Sequence, residues 1–418
     1  MTTSLAVWWM EHVVGYLSVD QSGDLSFIYD GDWLDRAEAR PVSQSLPLRR
    51  ESFSRSECRA FFEGLLPEER QREAIAQALG ISEANEFKLL AELGGDVAGA
   101  ISLWPEGMAP PRPSSAHVSK PLDEDELATL IENLPKRPML AGQEGIRLSL
   151  AGAQGKLPVV LDKEGSLALP APGQPSTHIL KPPIDRFNGT TENEAFCLSL
   201  ASAMGLSTAL AQLRYVREKP YLLVERYDRL ETSFDVSARI HQEDFCQALG
   251  LPSSKKYAGE GGPGLRDCFN LVRRVTTRPA ANVLRLLDAV IFNVLIGNCD
   301  AHGKNFSLLY RGFKTELAPL YDLLSTIQYP DLSDRFAMRV GGEVRLEDIG
   351  KRSWTVLAEV TGISEPFIRK RVQELSALAA QQNEAVAEGI LRDGGKEEYL
   401  APLTITIAHR TQSLSQRV

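Results

Sequence analysis

Apolar and polar positions alternate with a period of two near the start of the chain. Residues 4–9, 13–19 and 25–29 carry this pattern and predict three strands, with turn residues at 20–23. Helical segments follow over 57–65 and 67–79, and Gly80 stands where a C-cap belongs. Residues 1–104 therefore read as a small α/β unit. Pro105, Pro110, Pro111, Pro113 and Pro121 mark 105–122 as a linker. The segment 123–134 starts acidic and turns apolar, as a helix start favours.

Residues 140–230 read as a mixed sheet with one helix. The strands are predicted at 157–161, 166–168 and 178–181, the helix over 191–204 with Gly205 ending it, and a hairpin at 213–216 and 221–225. From about 240 onward the chain is mostly helical. An apolar helix over 284–295 precedes a short hairpin at 306–310 and 314–317. A last helix over 364–390 has Ser364 as N-cap and Pro366 in its first turn. No internal repeat is visible.

Composition narrows the class. The 418 residues are enough for two or three structural units, and 43% hydrophobic with 24% charged residues is ordinary for a globular chain. A net charge of −9 argues against a broad grip on nucleic acid, although a local basic patch stays open. The five cysteines, Cys58, Cys197, Cys246, Cys268 and Cys299, are scattered and include no C-x-x-C pair. Neither a zinc site nor a disulfide framework is indicated, and reduced thiols in a cytoplasmic protein are expected. The apolar stretch 5–10 is too short for a membrane span and lacks a charged start; no other segment reads as long and apolar enough to cross a bilayer.

The segment Ile296-Gly-Asn-Cys-Asp300-Ala-His302-Gly-Lys304-Asn305 carries the chemistry. Its D-x-x-x-x-N spacing is that of a kinase catalytic loop, in which the Asp takes the acceptor's hydroxyl proton and the Asn turns back to hold Mg²⁺. Asp322, beyond the hairpin in Leu320-Tyr-Asp322-Leu, stands where a second Mg²⁺ carboxylate is needed. Each residue also has a plain alternative: Asp300 and Asn305 as turn residues, Asp322 as an N-cap.

Lys181, at the end of His178-Ile-Leu-Lys181, can anchor phosphates, or be a solvated rim lysine. Glu194 can pair with it, or close a capping box with Thr191. The loop Ser149-Leu-Ala151-Gly152-Ala153-Gln154-Gly-Lys156 is rich in small residues and can offer backbone N–H groups to phosphate, though it is not a Walker loop; a tight turn is the alternative. The strand 221–225 ends in Glu225-Arg-Tyr227-Asp228, where an adenine hinge would lie.

Together these motifs resemble the HipA toxins over nearly the whole chain. The 149–156 loop is similar to that family's Ser-x-Ala-Gly-Ala-Gln motif, 177–181 to its ATP-binding strand, Asp300-x-His-x-Lys-Asn305 to its catalytic loop and Tyr321-Asp322 to its metal site. Gln242–Gly250, Gly261–Gly264, Pro47–Arg50 and Phe61–Pro67 are similar as well.

The resemblance implies an α+β, bilobal protein-kinase-like fold with an added N-terminal α/β subdomain. It divides the chain into 1–104, the linker 105–122, a kinase N-lobe over 123–235 and a helical C-lobe over 236–418. The D-x-H-x-x-N form also resembles phosphoinositide kinases, which implies lipid-kinase-like topology.

It further implies a serine/threonine protein kinase using ATP and Mg²⁺. Asp300 is then the base, Asn305 and Asp322 hold the metal, and Lys181 contacts the phosphates. Glu225 and Tyr227 border the adenine, Asp228 beside them is a nucleotide-binding candidate, and His302 and Lys304 lie in the nucleotide-contacting loop. Ser149, with Arg147 nearby, becomes the self-phosphorylated serine. Gly155 departs from the bulkier residue of many relatives, which would loosen the loop. The implied partners are a dimeric helix-turn-helix HipB-like antitoxin, operator DNA mainly through that antitoxin, and an aminoacyl-tRNA synthetase as substrate, glutamyl-tRNA synthetase first. The outcome is blocked translation and dormancy. Two readings remain open beside it: a kinase of a small molecule or lipid, and a non-catalytic corepressor.

Overall fold

The computed structural model describes residues 3–112, 119–143, 146–230 and 238–418. Part of the expected linker, including Pro113, and the expected boundary at 235/236 lie outside them. The chain forms two compact units. One comprises 1–182, 225–254 and 309–311; the other comprises 183–224, 255–308 and 312–418. These units cut across the division expected from sequence, because the first subdomain shares one unit with residues 123–182.

The first unit begins with a four-stranded antiparallel sheet in the order Leu25–Tyr29, His12–Val19, Thr3–Trp9, Ile101–Pro105. Strand alternation sends Leu5, Val7, Leu17, Phe27 and Leu103 into the core, each at most 2% exposed. Helices Arg55–Glu63 and Glu86–Leu93 belong to the same unit, and Phe27 meets Phe62 at 5.2 Å between ring centroids. Helix Glu69–Leu79 ends at Gly80 in the left-handed region, as its sequence predicts. Helix Glu124–Asn133 opens on an Asp123–Glu126 capping box. Beyond it, Leu157–Leu161 pairs antiparallel with both Leu167–Ala168 and His178–Lys181.

The second unit is built around helix Pro279–Ile296, which packs against Leu265–Val275, Glu365–Arg392 and Glu397–Gln416. This helix corrects one expectation. Its 18 residues, of mean hydropathy 1.6, are long and apolar enough to span a bilayer, but 67% of them are buried inside the unit. A core helix walled by three others needs an apolar surface nearly all round.

Ser364 caps the Glu365–Arg392 helix, with Pro366 in the first turn. That helix is not the last, because Glu397–Gln416 follows it. All five cysteines are free and buried.

Candidate active site

Helix Pro279–Ile296 stops at Gly297, whose φ of 70° turns the chain into the loop carrying Asp300. A Cβ there would lie 2.4 Å from the Ile327 side chain, so both conformation and space demand glycine. Asn298 then bridges the loop to the helix. Its amide donates to Asn293 Oδ1 at 2.8 Å and its own Oδ1 accepts the Asp300 N–H at 3.1 Å. Cys299 donates its N–H to Thr326 Oγ1 at 2.8 Å, and its carbonyl accepts from Ala337 at 2.7 Å. Burial pushes the Cys299 thiol up to about 11, so it stays protonated beside Asp300. The backbone is therefore held on both sides while Asp300 itself is exposed.

Asn305 accepts the His302 N–H at 3.0 Å through its side chain, and its own N–H donates to the His302 carbonyl at 3.0 Å. It thus fills the turn role foreseen for it while presenting an amide in the loop. Asp322 does not cap a helix. Its φ of 51° places it in the left-handed region, and the next short helix, Thr326–Gln328, is capped by Ser325. A non-glycine residue held there costs free energy and is typical of functional sites.

Two further contacts fix that segment. Tyr321 donates to the Lys304 carbonyl at 2.6 Å, and the Asn193 side chain exchanges hydrogen bonds with the Ser325 backbone at 2.8 and 3.1 Å. Among the described residues no group of three His, Cys, Asp or Glu could hold a metal. The donor set of Asn305 and Asp322 fits Mg²⁺, a hard cation commonly bound by one or two carboxylates, substrate phosphates and water.

Helix Thr190–Ala203 is capped by Gly189, so Thr191 lies inside the first turn, where its hydroxyl bonds Glu192 at 2.7 Å. The capping box foreseen for Thr191 and Glu194 is therefore not formed. Glu194 is 2% exposed.

In the first unit, Lys181 is 5% exposed, which removes the rim-lysine reading. Ser149 is fully buried. Its Oγ donates to the Leu65 carbonyl at 2.7 Å and its N–H to the Asp96 carbonyl at 3.0 Å. Arg147 pins the start of this segment, donating to the carbonyls of Ala91 and Leu103 and stacking 4.1 Å over the Trp104 ring. Ala151, Ala153 and Gln154 form a partly exposed turn; the Gly152 carbonyl accepts from Glu68 at 3.2 Å, and Lys156 donates to the Ala151 carbonyl.

The special backbone position of this loop is Gly152, with φ 116°. At Gly155 a Cβ would meet nothing closer than 3.9 Å, so a larger residue would fit there.

The hinge residues divide. Glu225 is exposed, and Tyr227 donates to Gln242 Oε1 at 2.6 Å. The Asp228 side chain is committed within the protein. It is 2% exposed, and its carboxylate is committed to Arg226 and Arg229 and to the Gly99 N–H. Burial opposes its charge, but these partners outweigh that and bring its acidity to about 2. The network extends through Asp96, which pairs with Arg229 at 2.7 Å, Arg239 at 3.3 Å and Arg226 at 3.5 Å. Sequence reasoning missed it, as it missed Asn193.

An exposed aspartate in a loop at the end of a buried helix, with an amide and a second carboxylate on tied segments, is the arrangement of a kinase-like protein. The comparisons with known proteins agree. The HipA N-terminal domain model matches residues 5–104 and the HipA-like C-terminal domain model matches 148–383. This chain belongs to the HipA family.

A Sinorhizobium fredii protein bearing a kinase name, Y4mE, is 54% identical over 386 residues, covering 92% of this chain and 92% of its own length. The serine/threonine-protein kinase toxin HipA of Shewanella oneidensis is 30% identical over 397 residues, covering 91% of this chain and 87% of its own. A chain in the solved complex of Shewanella oneidensis HipA, HipB and operator DNA matches with a TM-score of 0.84 and 27% identity, covering 98% of this chain and 97% of that one.

Proposed function

We propose that this chain is an ATP- and Mg²⁺-dependent serine/threonine kinase toxin. The observation that carries the reading is the Asp300 loop: the N–H groups of Cys299 and Asp300 are hydrogen-bonded while the Asp300 residue itself is exposed. Asp300 takes the acceptor's hydroxyl proton as the hydroxyl oxygen bonds the γ-phosphorus and the bond to the β-phosphate oxygen breaks, releasing ADP. Mg²⁺, when bound, offsets the negative charge of the phosphates. Asn305 and Asp322 would hold it. Lys181 would meet the phosphates, with Glu194 as its ion-pair partner. His302, Lys304 and the 149–156 loop would contact the nucleotide, and Glu225 and Tyr227 would border the base.

The acceptor class is a protein serine, first among aminoacyl-tRNA synthetases and glutamyl-tRNA synthetase before others; its modification would block translation and induce dormancy. A HipB-like antitoxin dimer would hold the chain and bring it to operator DNA. Ser149 is the internal acceptor. A phosphate on its buried Oγ would face the Leu65 carbonyl, and two oxygens bearing negative charge do not share that space. Modification therefore releases the segment and silences the kinase.

The test is incubation of the purified chain with Mg²⁺ and γ-labelled ATP, beside Asp300→Gln and Ser149→Ala, with phosphosite mapping and limited proteolysis. Label is expected on Ser149 of the wild type, together with new cleavage within 146–156, and none on Asp300→Gln. A folded, unmodified wild-type chain that transfers no phosphate would overturn the reading.

A further inference from the structure

Tyr257 belongs to none of the motifs that mark the site, yet it touches the base. Its hydroxyl donates to Asp300 Oδ1 at 3.0 Å. Its ring meets the His302 imidazole edge-on, with centroids 5.3 Å apart and planes at 79°. The preceding residue adds a third tie, as the Lys256 carbonyl accepts the Gly303 N–H at 3.4 Å. Lys256 Nζ stands 5.4 Å from the Tyr257 ring centroid. The segment is itself closed, because Gly262 donates its N–H to the Tyr257 carbonyl at 2.9 Å. Two consecutive residues of one turn thus grip the catalytic loop at 300, 302 and 303.

An exposed aspartate has several accessible rotamers, and only some aim an oxygen at an acceptor hydroxyl. A rigid phenol bonded to one carboxylate oxygen selects among them. We infer that Tyr257 is a positioning residue for phosphoryl transfer: its hydroxyl orients the Asp300 carboxylate, and its ring seats His302. The inference rests on Asp300 being the base. It separates two contributions, one to the chemical step through the hydroxyl and one to the nucleotide through the ring and His302.

Tyr257→Phe keeps the ring and removes the hydroxyl; Tyr257→Leu removes both. The measurement is single-turnover transfer from γ-labelled ATP to the chain, across ATP concentrations, for wild type, both variants and Asp300→Asn, with melting curves to verify folding. Tyr257→Phe should lower the maximal rate by about tenfold, the order expected for one hydrogen bond to a charged group. Its half-saturating ATP should stay within about twofold of wild type, since its ring is intact. Tyr257→Leu should lower the rate as far and also raise half-saturating ATP. A Tyr257→Phe protein as fast as an active wild type sinks the positioning role and leaves the kinase reading standing. Equal loss in rate and ATP affinity for both variants sinks the division of roles. A wild type without transfer overturns the kinase reading itself, and this inference with it.

Discussion

Tyr321 donates its hydroxyl to the carbonyl of Lys304 at 2.6 Å, joining the residue before Asp322 to the residue before Asn305. Because that one O–H is committed, Ser307, 2.7 Å away, must be the donor to the Tyr321 oxygen. Asn305 and Asp322, the proposed metal ligands, thus hang from segments bonded to each other.

Tyr321→Phe removes this tie while keeping the ring. Leaving the Lys304 carbonyl and the Ser307 hydroxyl without it costs about 1–2 kcal/mol of stability. The Mg²⁺ concentration for half-maximal phosphate transfer should rise, because the two ligands are no longer held in register. A magnesium titration of transfer and a urea melt check both parts; an unchanged titration would count against a shared metal site.

Glu243 offers a test by pH. Its carboxylate accepts from Ser43, from Tyr310 and from the Gln44 N–H, the last at 3.0 Å. Burial pushes its pKa from 4.5 to about 7, although these donors pull the other way and Asp244 adds a repulsion. A carboxyl that holds its proton more tightly folded than unfolded stabilises the fold below 4.5, and this contribution is lost as pH rises through about 7. The loss amounts to at most about 3 kcal/mol. His241, lowered to about 4 by burial, works in the opposite direction across the same window. The stability difference between wild type and Glu243→Gln isolates the carboxyl. It should shift against wild type between pH 4.5 and 7, and a pH-independent difference would refute the assignment.

Asp96 carries the third prediction. Burial raises its pKa, but Arg229, Arg239, Arg226 and the Ser176 hydroxyl outweigh that and hold the carboxyl well below its usual range. Asp96→Asn leaves the buried Arg226 and Arg229 cations with Asp228 and takes from Arg239 its ion pair with Asp96. The expected loss is about 3–5 kcal/mol, read as an earlier denaturation midpoint. By contrast Asp35→Asn, which breaks an exposed pair with Arg50, should leave the midpoint unchanged.

The elements with a clean local period were legible in the sequence. Strands such as Leu25–Tyr29 and the helix capped by Ser364 fall where alternation and capping chemistry put them. Helix Glu397–Gln416 was missed although Leu400, Leu403, Ile407, Thr411 and Leu414 are buried at helical spacing, because Pro402 interrupts the pattern. The buried ion network was not legible for another reason. Asp96 and Arg229 are 133 positions apart, and Tyr257 and Asp300 are 43 apart, and no local rule pairs residues at such separations. Lys181 and Asp322 show the gain in the other direction. Their plain alternatives were chemically sound, and burial in one case and backbone conformation in the other removed them.

Arg410 donates to the carbonyls of Val294 and Leu295, in the last turn of the helix that leads into the Asp300 loop. Those carbonyls lie 115 and 116 positions upstream of it. A growing chain that has just made its catalytic loop must therefore extend by more than a hundred further residues before that helix end gains its guanidinium. On the proposed reading, in which the chain acts on the cell making it, the order of synthesis itself becomes a safeguard: the Asp300 loop is made early and its helix end is braced late.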